Sequence, residues 1–213
     1  HFGVLYMNPN FWENMAGHGS IGIVSAVIET GMVEITEPVT KVVLDTPAGL
    51  VEGHAKVEEG QLRSVTIRNV PSFLYKSTKI DVPEIGEVKV DVAFGGDTYA
   101  IVGTDDVGVE VDPKNSFRLI ELNRMIKKAA NQQIEYVHPE RPHIHSIDGI
   151  RVNTVPPPSR THSKEVVVWA DGLIDRSPCG TGASADMAAS YAKGQLKIGE
   201  ETIHESIIGT IFK

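Results

Sequence analysis

Two similar segments lie far apart in this sequence, and the internal repeat limits the folds that the chain can adopt. Residues 16–20 (AGHGS) align with residues 179–183 (CGTGA), and an apolar stretch follows each segment. Gly31 and Gly194 end the two stretches, each fifteen residues after the start of its segment. We therefore expect two pseudo-symmetric halves with the same loop–helix–strand order. Two unrelated helices that are merely bounded by glycine remain the alternative.

The rest of the pattern predicts a mixed α+β fold with more strands than helices. Helices are predicted at 20–30, 117–131 and 183–192, with Ser116 as an N-cap. Residues 155–160, which include three prolines, predict an exposed loop. Strands are predicted at residues 1–8, 39–44, 50–57, 64–70, 87–94, 99–103, 166–170 and 203–213.

The domain organisation follows from the repeat. We expect residues 1–56 to form part of the first half, without its N-terminal portion, and residues 57–213 to form the second half. The chain begins at His1 and ends at Lys213 within predicted strands, so we expect it to be trimmed at both ends.

The composition argues against several classes of partner. The 213 residues carry 20 basic and 28 acidic side chains, a net charge of −8, which disfavours nucleic acid and anionic membranes. There is no apolar stretch near 18 residues, so no membrane span is expected. A single cysteine cannot form an intrachain disulfide, which is consistent with a cytoplasmic protein.

The two glycine-rich loops predict an anion site. Small residues before a helix leave backbone N–H groups free to bind an anion, and the helix dipole favours the same charge. A carboxylate held between two such loops and a phosphate are the alternatives. The spacing fits neither a phosphate-binding Walker loop nor a dinucleotide-binding fingerprint.

Cys179 is the candidate base or nucleophile. A helix N-terminus lowers the pKa of a cysteine thiol from about 8.5 toward 7 or below. His18 could donate a hydrogen bond to a ligand or brace its loop. Asp175 could bind a substrate ammonium group or cap the loop. The histidines at 138, 143 and 145 lack ligand partners at metal-site spacing, so we expect surface histidines and no metal.

These loops resemble known motifs. Residues 175–185 (DRSPCGTGASA) resemble the second active-site motif of the proline racemase family, which includes 4-hydroxyproline epimerases and trans-3-hydroxyproline dehydratases. Residues 14–19 (NMAGHG) resemble its first motif, in which a cysteine usually stands where this chain has Ala16. Similar segments also occur at residues 46–49, 69–74 and 94–96, so the resemblance covers nearly the whole chain.

The resemblance implies a fold like that of diaminopimelate epimerase, with each half a sheet wrapped around a central helix and the active site in the cleft between the halves. It also implies a two-base racemase or epimerase of proline or 4-hydroxyproline, without pyridoxal phosphate or another cofactor, acting as a monomer or homodimer. One thiolate removes the α-proton, and a thiol on the opposite face returns a proton. The resemblance assigns the substrate carboxylate to the amides of Gly17, His18, Gly180 and Thr181, and the ring nitrogen to Asp175.

Ala16 departs from the family pattern. A methyl group can neither accept nor donate a proton, so two-base racemisation should fail or be slow in this chain. The substitution is either deliberate or natural, and the otherwise intact motif favours the first. Three alternatives remain: a trans-3-hydroxyproline dehydratase, a non-catalytic binding protein for proline-like amino acids, and a diaminopimelate-epimerase or phenazine-type isomerase.

Overall fold

A computed structural model describes residues 1–8, 11–155, 157 and 161–213. Most of the predicted loop at 155–160 therefore lies outside the described residues. The chain forms two compact units, His1–Pro71 and Ser72–Lys213. The sequence placed the division after residue 56, which falls within the strand Gly49–Glu58. The first unit extends further because the next strand, Gln61–Arg68, pairs with this one and completes the same sheet.

The first unit is a small sheet with one helix. Its strands are β1 (Phe2–Gly3), β2 (Tyr6–Asn8), β3 (Phe11–Glu13), β4 (Val39–Thr46), β5 (Gly49–Glu58) and β6 (Gln61–Arg68). Helix α1 (Gly17–Glu29) packs against β5 and β6 of a four-stranded sheet whose order is β1-β4-β5-β6. Strands β2 and β3 form a separate hairpin. Buried and exposed residues alternate along β4 and β5, which is typical of strands with one face on a core.

The second unit is a larger sheet with two long helices. Its strands are β7 (Phe73–Val82), β8 (Gly86–Phe94), β9 (Thr98–Gly103), β10 (Gly149–Asn153), β11 (His162–Trp169), β12 (Leu173–Ile174), β13 (Ile203–Glu205) and β14 (Ile211–Phe212). The strand order is β14-β13-β11-β10-β9-β8-β7, and β12 pairs with β11. The helices are α2 (Thr104–Val107), α3 (Ser116–Gln133) and α4 (Gly180–Ala192), with a 3₁₀ turn at Pro113–Asn115.

Helix α4 packs on the part of this sheet that ends in β7. It contacts strands β7, β8 and β9, while α3 contacts β7, β10 and β11. Residues 98–102 of β9 are all buried, because both helices also pack on this strand. The α+β prediction is therefore confirmed, and both units contain a sheet packed on a helix that begins at a glycine-rich loop.

The predicted helices are present, but their starts differ from the prediction. Helix α4 begins at Gly180 rather than residue 183, and Ser116 is the first residue of α3, with Asn115 as its N-cap. None of the helices in the described part of the chain combines the length and hydropathy that a membrane crossing requires.

Candidate functional site

Cys179 is the N-cap of helix α4, whereas the sequence placed it in the loop before a helix that begins at residue 183. Its backbone has φ +60° and ψ 107°, a conformation that costs a non-glycine residue about 1–3 kcal/mol and clusters at functional sites. The Gly182 N–H donates to the Cys179 Sγ over 3.3 Å. A Cβ at Gly182 would lie 2.8 Å from a methyl group of Val167 and 3.2 Å from that Sγ. Glycine at 182 therefore allows the amide to reach the sulfur.

Two hydroxyl groups also surround the sulfur. The Tyr99 Oη lies 3.5 Å from the Cys179 Sγ and 2.6 Å from the Thr181 Oγ1. The Thr181 Oγ1 lies 3.6 Å from the same Sγ. Sequence reasoning missed Tyr99 because it lies on β9, eighty residues before the thiol. The only available signal was a tyrosine within an otherwise apolar strand.

Burial controls the ionisation of this thiol. Cys179 is 4% exposed within an apolar cluster that includes Ala93, Ile101 and Val167. Desolvation by burial, and then the negative charge of Asp175, raise the pKa of Cys179 to about 11, although the hydrogen bonds at the sulfur act in the opposite direction. The expectation of a lowered pKa is therefore wrong, because desolvation outweighs the helix N-terminus. The resting group is a thiol at neutral pH.

Three hydrogen bonds donated by backbone N–H groups fix the loop before the thiol. The Ser177 N–H donates to the Asp175 Oδ1 over 2.8 Å, and the Cys179 N–H donates to the Ser177 Oγ over 3.0 Å. The Asp175 N–H donates to the Val167 carbonyl of β11 over 3.0 Å. Asp175 thus caps the loop in this structure, which is one of the two roles expected for it. Its contact with a substrate ammonium group remains a prediction.

A buried ionic cluster lies behind the same loop. The Arg151 guanidinium is 2.7 Å from a Glu165 carboxylate oxygen, and both side chains are fully buried. Arg151 also lies 3.6 Å from an Asp186 oxygen and 3.1 Å from the His204 Nδ1. Its Nη1 donates to the Pro178 carbonyl over 3.4 Å. The cluster therefore connects β10, β11, β13 and α4 to the residue that precedes the thiol. Sequence reasoning found none of its members.

The start of α4 also packs tightly on the sheet. A Cβ at Gly95 would lie 2.1 Å from the Thr181 carbonyl oxygen and 2.6 Å from the Ala185 nitrogen. Only glycine fits there, which gives a physical reason for the glycine after Phe94 in the segment at 94–96. The amides of Gly180 and Thr181 belong to the first helical turn, whose N–H groups have no partner within the helix. Such amides can bind an anion.

The corresponding loop of the first unit carries a different set of groups. Ala16 is the N-cap of α1, is 8% exposed, and provides no side-chain hydrogen bond. Gly17 and His18 occupy the first turn, and the His18 side chain is exposed. The Tyr6 hydroxyl lies 2.6 Å from the Ser20 Oγ, which in turn donates to the Ala16 carbonyl over 2.8 Å. Ala16 and Cys179 are both N-caps, but Ala16 has an extended backbone with φ −125° and ψ 115°, whereas Cys179 has φ +60°. No group that can transfer a proton stands at position 16.

The histidines do not form a metal site among the described residues, where no cluster of three His, Cys, Asp or Glu side chains suits a metal ion. His143 and His145 are exposed, as expected. His138 is buried: its side chain is 4% exposed, and its ring packs edge-on against Phe73 and Phe94. Its Nδ1 accepts from the Glu140 and Arg141 N–H groups. The expectation of a surface histidine at 138 is therefore wrong, because the ring fills the core beside β7 and β8.

A cavity of about 800 Å³ also lies within the second unit. Residues of the later turns of α4, Asp186 to Lys193, contribute to its wall together with strands β7 to β11 and β13. Cys179 is not part of the wall. The cavity is thus separate from the thiol at the other end of the helix.

Comparison with known proteins gives a consistent result. The family model described as proline racemase matches residues 1–213. The proline racemase of Clostridioides difficile is 43% identical over 213 residues, which cover all of this chain and 64% of that protein. The 4-hydroxyproline 2-epimerase of Streptosporangium roseum is 42% identical, covering 99% of this chain and 63% of that protein. A crystal structure of a hydroxyproline epimerase from Agrobacterium vitis, with bound trans-4-hydroxy-L-proline, has a TM-score of 0.88 at 35% identity, covering 98% of this chain and 61% of that one.

Proposed function

Because the chain belongs to the proline racemase family, we propose that it is an isomerase-type protein that binds proline or 4-hydroxyproline and acts on the α-proton. It spans less than two thirds of the length of these relatives. The observation that carries the proposal is the intact loop at 175–182, which places a thiol at the start of α4 beside two amides of its first turn.

The proposed chemistry uses these groups directly. The Cys179 thiolate takes the α-proton of one enantiomer, and the electron pair of the C–H bond moves into the carboxylate to give an enolate-like intermediate. Preorganised amide donors stabilise such developing charge. We assign this role to Gly180 and Thr181, and in the first unit to Gly17 and His18. Asp175 is proposed to hold the ring nitrogen.

Ala16 limits the outcome of this chemistry. With a methyl group at the position of the second base, no side chain there can return a proton to the opposite face. We propose that Cys179 instead returns a proton to the same face of the α-carbon from which it removed one. The chain as it stands then exchanges the α-proton of one enantiomer with solvent without changing its configuration.

Two alternatives make different predictions. A non-catalytic binding protein would bind proline-like amino acids without any exchange. A dehydratase would release water from trans-3-hydroxyproline, but the relatives named above are racemases and epimerases, so this reaction is not favoured.

The test is solvent exchange in deuterium oxide. Each enantiomer of proline and each epimer of 4-hydroxyproline is incubated with the protein, and NMR follows the loss of the α-proton signal. We expect deuterium in one stereoisomer of a substrate pair, with configuration retained, and none with Cys179→Ala. If no stereoisomer gains deuterium, the proposal is refuted. If calorimetry then still detects binding, the binding protein becomes the better account.

A further inference from the structure

We propose that Tyr99 is a positioning residue whose hydroxyl donates a hydrogen bond to the Cys179 thiolate and so increases the fraction of that thiolate. The inference rests on the proposed function in one respect only, namely that Cys179 acts as a base. It concerns a strand residue that the loop motifs do not include.

The geometry forms a closed triangle of three atoms. The Tyr99 Oη is 2.6 Å from the Thr181 Oγ1 and 3.5 Å from the Cys179 Sγ, and the Thr181 Oγ1 is 3.6 Å from the same Sγ. A phenol carries one hydrogen, so it can donate to only one of its two neighbours at a time. While the sulfur holds its own proton, the short contact indicates that Tyr99 and Thr181 pair with each other. Once the sulfur is charged, it becomes the stronger acceptor and attracts the phenol hydrogen.

A buried thiolate requires donors on the protein itself. The Gly182 amide provides one donor at 3.3 Å, and the Tyr99 hydroxyl provides a second when Thr181 donates its own hydrogen to the Tyr99 oxygen. The surrounding side chains of the cluster, such as Val167 and Ala185, are apolar. Loss of one hydrogen bond to a charged group costs more than loss of a neutral one, so the phenol should have a measurable effect on the ionisation.

Tyr99 is well suited to remain a donor. Its side chain is fully buried, and its ring packs edge-on against Trp169 at a centroid distance of 5.1 Å, which fixes its orientation. Desolvation raises the pKa of Tyr99 well above its usual range, so the phenol keeps its hydrogen wherever the protein is folded.

A purely structural role for the hydroxyl makes a different prediction. If Tyr99 only pairs with Thr181 to satisfy two buried groups, Tyr99→Phe reduces stability and leaves the thiol unchanged. More frequent local opening would then expose the sulfur and accelerate its modification. The two roles therefore predict opposite changes in the reactivity of Cys179.

The experiment measures the alkylation rate of the single cysteine by iodoacetamide at several pH values below the pKa of the thiol. A rise of about one unit in that pKa reduces the thiolate tenfold, and the higher nucleophilicity of the more basic thiolate recovers part of the loss. We expect Tyr99→Phe to react about three- to fourfold more slowly at each pH. Tyr136→Phe is the matched control, because it removes another buried phenol of the same unit and should react at the wild-type rate.

A second variant covers a failure of the first to fold. Tyr99→Phe combined with Thr181→Val removes both hydroxyls of the pair, so that neither is left buried alone, and we expect it to react at least as slowly as the single variant. Alkylation at or above the wild-type rate in folded variants would overturn the proposal. No substrate is involved, so slow alkylation combined with an absence of α-proton exchange would retain the role of Tyr99 and refute the proposed function.

Discussion

The buried Cys179 thiol should make the stability of the second unit depend on alkaline pH. Its pKa is about 11 in the folded chain, against a reference value of 9.0 for an exposed cysteine. The folded state therefore holds this proton more tightly than the unfolded state does. The resulting stabilisation is fully present below about pH 9 and is lost as the pH rises from there through about 11.

The magnitude follows from the two pKa values. Linkage over this interval gives a loss of about 2 kcal/mol in the free energy of unfolding between about pH 8 and about pH 10.5, and about 2.7 kcal/mol in the limit of high pH. Because the total stability of a domain is about 5–15 kcal/mol, a loss of this size is readily measured. Cys179→Ala removes the titrating group and with it this part of the pH dependence.

The assay is urea unfolding at the two pH values, followed by tryptophan fluorescence. Trp12 belongs to the first unit and Trp169 to the second, so a Trp12→Phe background reports on the second unit alone. The quantity of interest is the difference between the chain with Cys179 and the chain with Cys179→Ala, since other alkaline titrations cancel in it. The background is the same in both chains.

We expect the stability difference between the two chains to change by about 2 kcal/mol from the lower to the higher pH, in favour of Cys179→Ala at the higher pH. An unchanged difference would show that the thiol has an ordinary pKa in the folded chain. The argument that burial outweighs the helix N-terminus would then be refuted.

Two further changes test the support of the thiol loop. Glu165→Gln leaves the buried Arg151 guanidinium without this carboxylate and should cost about 3–5 kcal/mol in urea unfolding. Glu87→Gln, at an exposed pair with Lys79, is the control and should leave the unfolding midpoint nearly unchanged. Gly95→Ala forces a methyl group against the Thr181 carbonyl, so it should abolish α-proton exchange and lower the unfolding midpoint. Gly22→Ala is the control, because a Cβ there meets open space on a helix, and it should raise the free energy of unfolding by up to about 1 kcal/mol. Unchanged unfolding in Glu165→Gln or Gly95→Ala would contradict these packing arguments.

The repeat could be predicted from sequence because glycine spacing is a local property. Residues 16–20 and 179–183 each supply the N-cap and the first turn of a helix, so both helices begin three residues before the predicted starts at 20 and 183. The α+β class is confirmed. Strands β7 and β10 were missed, although each is stabilised by pairing with strands on both sides or by a helix on its face. Strand β10 pairs with β9, which is distant in sequence, and alternation of residue type does not reveal such a partner. Strand β7 pairs with the neighbouring β8, but most of its residues are exposed or half-buried, so its apolar pattern is weak.

The surroundings of the thiol could not be predicted for the same reason. The pKa of Cys179 depends on the apolar cluster around it, which β8, β9 and β11 bring to the start of α4. The contacts of Tyr99 and Arg151 with this loop also come from strands distant in sequence. A helix N-terminus is visible in a sequence, whereas the desolvation that opposes it is a tertiary property.

The central claim is that this chain lacks the second base of a two-base racemase, because it has Ala16 where the family motif usually has a cysteine. The most direct measurement is chiral chromatography of L-proline and trans-4-hydroxy-L-proline after incubation with the chain and with Ala16→Cys. The account predicts that only Ala16→Cys forms the opposite stereoisomer, and that Cys179→Ala in the same background abolishes it. If neither chain forms it from either substrate, although both remain folded, the two-base account is contradicted.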